Sequence, residues 1–449
     1  MLFGYFWLLR RKLILGSKLW LVGGSFIFYA YWNIVYVPLL LESIFVNFFI
    51  GSALGGELPS KIPKRVVLIL GILFNLCLLA YFKYTDFFIE NFNGLFDPDI
   101  PLTYIVLPLG ISFFTFTQIA FLVDSYKGEV KEYDVLNYML FVSYFPHLLA
   151  GPILHHAQMI PQFTNRWNWA IRWRNIATGL FLFSIGLFKK VVIADTFSEF
   201  VHQGFDIVDK LNFVEAWMTS LSYTFQIYFD FSGYTDMAIG ISLMFNIRLP
   251  INFNSPYKAK NIQDFWRRWH ITLSQFLREY VYIPLGGNKG AKREHYNNLA
   301  IVFFIGGLWH GAAWTFIMWG ILHGCAVILH RIWTNSGLRM WDWMGWFITF
   351  NFVNFTWIFF RAEDIKSAGK VLAGMTGCNG ILFTSSFSEI QVMALWIILL
   401  FVIILAFKNS MQLLDTFRSR ITKVYLTAAV LLISILSLAK ESAFIYFNF

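Results

Sequence analysis

The chain has 449 residues, 57% of them hydrophobic and 14% charged, with a mean hydropathy of +0.59 and a net charge of +9. A soluble domain carries about 25% charged residues, so this composition excludes a soluble enzyme and points to an all-α, polytopic membrane protein. The three cysteines form no plausible disulfide framework or metal set, and the positive charge reads as basic loops beside anionic lipid, or as a site for an anionic substrate, rather than as a nucleic-acid surface.

Apolar runs predict spans over 13–31, 35–55, 66–83, 104–123, 135–153, 176–194, 216–234, 297–317, 318–333 and 343–360, a weak one over 372–391, then 392–407 and 421–439. The start does not read as a cleaved signal, because Arg10, Arg11 and Lys12 follow the first apolar run and no small-residue cleavage site closes the next. Loop charge sets the orientation. Residues 56–65 hold Lys61, Lys64 and Arg65 against Glu57 and belong inside. Residues 84–103 hold Asp86, Glu90, Asp97 and Asp99 with no base, and the acidic 196–215 resembles them; both fit outside.

The run 135–154 separates two basic stretches that both look cytoplasmic, and "YFPHLLAGPI" breaks it with Pro146, Gly151 and Pro152. Irregular backbone at membrane depth is tolerated only when protein buries it or when it lines a cavity, so this is a re-entrant segment. His147, His155 and His156 surround it; the vicinal pair lacks the i,i+4 spacing of a helical zinc site, and no metal is expected. Further on, "QIYFDFSGYTDMAIG" places Asp230 and Asp236 beside apolar runs. They either orient a histidine or line a polar path, or they serve structure as helix caps, the commoner use.

Residues 257–295 carry eight Lys or Arg against three acids and form the longest polar stretch. Trp266, Trp269, Leu273, Phe276 and Leu277 recur at helical spacing beside Arg267, Arg268, Arg278 and His270. That pattern predicts an amphipathic helix in the cytoplasmic interface or dipping into the protein. It is either a plain lipid anchor or a cationic entrance for an anionic acyl donor. "GGNKG" at 286–290 is a tight turn or a backbone cradle for a phosphate.

"GGLWHGAAWTFIMWGILHG" then places His310 in an apolar run with Trp309 and small residues around it. Intramembrane ionisable groups are functional candidates by default, and a neutral buried imidazole can act as a general base; the alternative is a histidine bonded to a backbone carbonyl. His323 reads as structural. The chain ends "FIYFNF", a tail that avoids water and whose only hydroxyl is Tyr446.

Together, "DFWRRWHITLSQFLREYVYIPLGGNKG", "GGLWHGAAWTFIMWGILHG" and "NFTWIFFRAED", with "YFDFSGYTDMAIGISLMFNIRLPINFNSPY" and "YFPHLLAGPI", resemble the membrane-bound O-acyltransferases. Within them the chain is similar to the bacterial branch that O-acetylates alginate, cellulose or peptidoglycan outside the inner membrane. The resemblance covers nearly the whole chain. It implies one integral-membrane domain over 1–449, a helical bundle with re-entrant segments and a transmembrane funnel or tunnel, multi-pass in the inner membrane. Its parts are the basic region 257–295, the histidine region 297–333 and the aromatic tail 440–449.

The same resemblance implies that His310 is the catalytic histidine and His270 the second, less critical one. It leads to an expected cytoplasmic thioester donor, acetyl-CoA, with no bound cofactor and no metal. Arg267 and Arg268 are expected to hold the donor's phosphates, and Trp269 and Trp309, each next to one histidine, to contribute to substrate binding. Tyr446 is implied to accept the acyl group and to pass it to an extracytoplasmic SGNH or esterase-like partner. No Gly-x-Ser-x-Gly elbow occurs in this chain for that second step. The alternatives are D-alanyl transfer to teichoic acid from a carrier protein, and a transporter that passes an intact donor without chemistry. A lipid- or protein-palmitoylating enzyme fits the block around Trp269 and His270 less well.

Overall fold

The computed structural model describes residues 1–58, 61–130, 133–381, 390–417 and 421–438, and among these every regular element is helical. The chain forms two compact units, Met1–Phe183 with Met237–Pro250, and Ser184–Asp236 with the described residues from Ile251 onward. Four helical stretches are long and apolar enough to cross a bilayer: Ile14–Gly55, Lys64–Phe96, Trp173–Ile207 and Trp314–Asn335. This is a multi-pass membrane protein.

The first unit contains α1 (Leu2–Arg10), α2 (Ile14–Asn33), α3 (Val37–Gly55), α4 (Lys64–Phe96), α5 (Ile111–Lys127), α6 (Val135–Ser143), α7 (Phe145–Leu148), α8 (His156–Thr164) and most of α9 (Trp173–Phe188). Several of its buried polar side chains satisfy one another, which offsets the cost of placing them away from water. Asn47 of α3 and Asn75 of α4 exchange amide hydrogen bonds of 3.2 and 2.6 Å, and Gln118 of α5 donates to Ser43 at 2.8 Å. The run 135–154 is broken as its prolines and glycine predict: α6 stops at Ser143 and α7 has one turn. At Gly151 a Cβ would lie 2.4 Å from the Cα of His147, so only glycine fits. Protein covers the freed backbone, with His147 Nε2 on the Phe141 carbonyl at 3.0 Å and the Phe145 N–H donating to Ser25 Oγ at 3.1 Å.

In the second unit the helix does not end at 194 as the apolar window suggests. It runs on through a π segment (Lys189–Ala194), α10 (Asp195–His202) and a second π segment (Gln203–Ile207). The charges that end the apolar window are paired inside: Lys189 with Asp236 at 2.6 Å, and Lys190 with Asp195 and Asp230 at 2.8 and 2.7 Å. Asp230 and Asp236 lie on α11 (Phe213–Met244), and Asp195 opens α10. Asp230 and Asp236 therefore hold structure together, the commoner of their two readings.

The basic stretch is not one amphipathic helix. It divides into α12 (Ile262–Trp266) and α13 (Ile271–Leu277), followed by a π turn at Arg278–Tyr282. Trp269, Leu273, Phe276 and Leu277 are all buried in protein, so the surface-anchor reading gives way to a segment dipping inward. Then come α14 (Lys292–His310), α15 (Trp314–Asn335), α16 (Asp342–Arg361), α17 (Ile365–Met375), α18 (Ile390–Ala406), α19 (Ser410–Asp415) and α20 (Ile421–Leu436). The weak span over 372–391 does not form: α17 ends at Met375, and Gly377 and Gly380 turn the chain with φ of +80° and +96°.

A hairpin of α14 and α15 presents His310, and glycines set its closeness. A Cβ on Gly307 would meet the Phe316 carbonyl oxygen at 2.5 Å, and one on Gly320 the Phe303 carbonyl oxygen at the same distance. Small residues at such a seam let backbones approach where no hydrophobic force drives helices together. Gly320→Val is expected to destabilise the protein by about 1–3 kcal/mol through overpacking, read as a lower thermal midpoint in detergent. Gly369→Ala in α17, where a Cβ meets nothing within 4 Å, is expected to be neutral or stabilising.

Candidate active site

His310 is the last residue of α14, and the chain leaves the helix at once through extended Gly311. Its ring is enclosed by Trp309, Trp319 and Phe360, with centroids 4.9, 5.0 and 5.0 Å away. His270 sits between α12 and α13, fully buried, with its ring 6.5 Å from that of His310 and 6.1 Å from Trp309. The structure thus brings the two expected histidines to one place, with Trp309 touching both.

His270 occupies left-handed backbone, φ +42° and ψ +55°, a conformation that costs a non-glycine residue of order 1–3 kcal/mol. The segment just after α11 holds it there. The Asn252 carbonyl accepts the Ile271 N–H at 3.0 Å, and the Asn254 N–H donates to the Arg268 carbonyl at 2.9 Å. Asn252 Oδ1 lies 3.2 Å from His270 Nδ1 and accepts from the Thr272 N–H and hydroxyl at 3.2 and 3.0 Å. Burial pushes the His270 pKa down to about 3, so this imidazole is neutral at physiological pH.

Two adjacent spaces lie within this unit. The smaller, about 100 Å³, is almost wholly apolar and is lined by Trp266, Leu273, Ser274, Leu277, Val302, Phe303, Gly306, His310 and Trp319. The larger, about 1070 Å³, shares Trp266, Ser274, Val302 and Phe303 with it. Among the described residues four cations line it, Arg267, Arg278, Lys289 and Arg331, and no acid does. A wide basic chamber therefore lies against an apolar cavity at His310.

Of the expected phosphate contacts, Arg267 faces this chamber and Arg268 does not. Arg268 Nε donates to Asp264 at 2.8 Å and its Nη1 to the Asn254 carbonyl at 3.3 Å, bracing the break at His270. Trp269 is a core residue, stacked on Phe265 and packed 4.8 Å from the Trp357 ring, and it lines neither space. Tyr446 lies outside the described residues. Arg278 and Lys289 belong to the basic stretch read in the sequence, whereas Arg331 was not singled out there. Arg331 lies near the end of α15, and no linear spacing joins it to Arg267.

The glycine turn contributes differently from a phosphate cradle. The Gly286, Gly287 and Lys289 N–H groups already donate to the Ile283, Tyr282 and Gly286 carbonyls. Gly286–Lys289 nevertheless lines the chamber, where Lys289 supplies charge.

His323 is structural, as its sequence context suggested. Its Nδ1 accepts from Trp266 Nε1 at 3.2 Å, its Nε2 donates to Thr356 Oγ1 at 3.0 Å, and that hydroxyl donates to the Val353 carbonyl. In the other unit, Asp124, His155 and His156 converge, a cluster the vicinal spacing did not reveal. His155 Nδ1 accepts the Ala157 N–H at 3.3 Å, so its Nε2 carries the proton and donates to Asp124 at 2.8 Å. The three offer ligand atoms within 4.8 Å of one another, a set that could hold a metal ion and that the sequence reading did not expect.

The chain belongs to the membrane-bound O-acyltransferase family, whose pattern matches residues 64–363. It is 47% identical to the peptidoglycan O-acetyltransferase of Helicobacter pylori, over 99% of this chain and 94% of that one. It is 39% identical to the probable alginate O-acetylase AlgI of Pseudomonas aeruginosa, over 80% of this chain and 69% of that one. A more distant relative is the teichoic acid D-alanyltransferase of Bacillus subtilis, 28% identical over 57% of this chain and 69% of that one. The protein is a membrane-bound acyltransferase.

His323→Leu is expected to lower stability by about 1–3 kcal/mol, because it leaves the buried Trp266 N–H without its acceptor. Activity per folded molecule should remain within about twofold of wild type. Thermal unfolding and turnover of the purified protein in detergent check both halves.

Proposed function

We propose that this chain takes an acetyl group from a cytoplasmic thioester, acetyl-CoA, and moves it across the inner membrane for O-acetylation of an extracytoplasmic polysaccharide, peptidoglycan or an alginate-like polymer. The observation that carries this reading is the basic chamber beside an apolar cavity at His310. Coenzyme A carries several phosphates at one end and a thin pantetheine arm ending in the thioester at the other. A chamber of about 1070 Å³ lined by four cations suits the first, since Arg pairs with phosphate bidentately. The apolar cavity suits the second. High identity to O-acetylating relatives along most of the chain supports acetyl over D-alanyl transfer.

In this reading, an acceptor hydroxyl attacks the thioester carbonyl carbon while neutral His310 takes its proton. The new C–O bond forms a tetrahedral intermediate. Its collapse breaks the C–S bond, and the imidazolium returns the proton to the departing thiolate. Exclusion of water by the aromatic wall of Trp309, Trp319 and Phe360 limits hydrolysis. His270 assists from the same wall. The first acceptor is the Tyr446 phenol of the aromatic tail. Phenol ionises near pH 10, more readily than a sugar hydroxyl, so its ester forms with a modest base and hands the acetyl onward to an SGNH or esterase-like partner outside.

His310→Ala is expected to insert and purify normally and to lose about 100- to 10,000-fold in acetyl transfer, the usual range for a general base. Wild-type transfer by that variant would overturn the assignment. Tyr446→Phe keeps the ring and removes only the hydroxyl; polymer acetylation in cells should be lost while the protein stays in the membrane. Retained polymer acetylation would remove the tail from the relay.

The two neighbouring arginines should separate. Arg267→Glu is expected to raise the KM for acetyl-CoA about tenfold, equal to about 1.4 kcal/mol of binding, and added salt should do part of the same. Arg268→Ala should act mainly on stability, through the lost tie to Asp264 and Asn254. Donor titrations at low and high salt, with thermal melts of both variants, distinguish them.

A further inference from the structure

Asn252 grips three consecutive residues. Its backbone carbonyl accepts the Ile271 N–H, and its side-chain oxygen meets the Thr272 N–H, the Thr272 hydroxyl and His270 Nδ1. The Thr272 contact settles the orientation of the amide. A backbone N–H can only donate, so the atom it meets is the carbonyl oxygen and not the NH₂ group. That oxygen can only accept. His270 Nδ1, 3.2 Å from it, must therefore carry a hydrogen. A neutral imidazole has one N–H, which leaves Nε2 as a bare lone pair. His270 Nε2 is buried, and it has no hydrogen-bond partner among the described residues. It belongs to a ring 6.5 Å from that of His310.

From this geometry we infer that Asn252 is a positioning residue that locks His270 in the Nδ1–H tautomer, so that its Nε2 serves the transfer reaction as a hydrogen-bond acceptor and not as a donor. This rests on the two-histidine reading above and assigns His270 its half of the work. A bare acceptor beside His310 can take a hydrogen bond from an N–H of the bound donor, such as a pantetheine amide, and leaves the acceptor hydroxyl's one hydrogen to His310. The left-handed backbone at His270 serves the same end, because it aims the ring from a break that Asn252 itself closes on both sides. No net proton transfer to His270 is required, which agrees with a neutral, fully buried ring.

A double-mutant cycle in purified enzyme separates positioning from mere support. Asn252→Ala is expected to lower kcat for acetyl transfer by about tenfold or more while the KM for acetyl-CoA stays within about twofold. In a His270→Ala background the same change should have no further effect, because Asn252 acts only through that ring. If the two losses multiply, Asn252 is a structural residue and the inference fails while the two-histidine site stands. If His270→Ala alone retains full activity, the two-histidine reading fails and this inference with it.

A second measurement does not depend on Asn252→Ala folding. In ¹⁵N-histidine-labelled wild-type protein, with the His270 signals assigned by their loss in His270→Gln, Nδ1 should appear protonated and Nε2 bare. A protonated Nε2 with bare Nδ1 would overturn the inference.

Discussion

The site depends on one local constraint, the left-handed break at His270. Without it, α12 and α13 would continue as a single helix and carry the ring around the axis with its neighbours. The break costs of order 1–3 kcal/mol, and it is offset locally by hydrogen bonds from Asn252, Asn254 and Arg268. Those bonds join a segment just after α11 to residues 14 to 20 positions further on. The interruption lets Trp269 turn into an aromatic core with Phe265 and Trp357. It leaves Arg267 facing the chamber, Arg268 as a brace and His270 facing the neighbourhood of His310.

A second constraint is the closeness of α14 and α15. Gly307 and Gly320 remove the side chains that would separate the two helices, so that His310 ends α14 within a wall of Trp309, Trp319 and Phe360. Polar groups elsewhere at membrane depth are spent on structure: the lysine–aspartate pairs of the second unit, the Asn47–Asn75 exchange of the first, and His323 between Trp266 and Thr356. The buried Nε2 of His270, by contrast, has no hydrogen-bond partner among the described residues.

Much of this was legible in sequence. Apolar runs gave the helical, multi-pass architecture, Pro146, Gly151 and Pro152 gave the broken segment, and His310 stood out as an ionisable group in an apolar, glycine-flanked run. Charge-based limits were less informative. The second unit's helix continues past 194 because Lys189, Lys190 and Asp195 find buried partners, which an apolar window counts only as polar residues. The single amphipathic helix failed for a related reason. Its apolar positions recur at helical spacing, but the force that breaks it comes from Asn252, outside the window. The basic chamber was half visible: Arg267 and Lys289 belong to a conspicuous run, whereas Arg331 joins them only through the fold. The convergence of Asp124, His155 and His156 was hidden too, since i,i+1 histidines on a helix start face one carboxylate only when α5 lies beside them.

The central claim is that this protein itself performs acyl transfer at His310, and does not simply conduct an intact donor. Mass spectrometry of the purified wild-type chain after incubation with acetyl-CoA tests it most directly, with His310→Ala treated in parallel. The account predicts an acetylated peptide in the wild type, mapping to the tail that carries Tyr446, together with release of free coenzyme A, and neither product from His310→Ala. An unmodified wild-type chain with no thiol released, or equal acetylation in the His310→Ala protein, would contradict it.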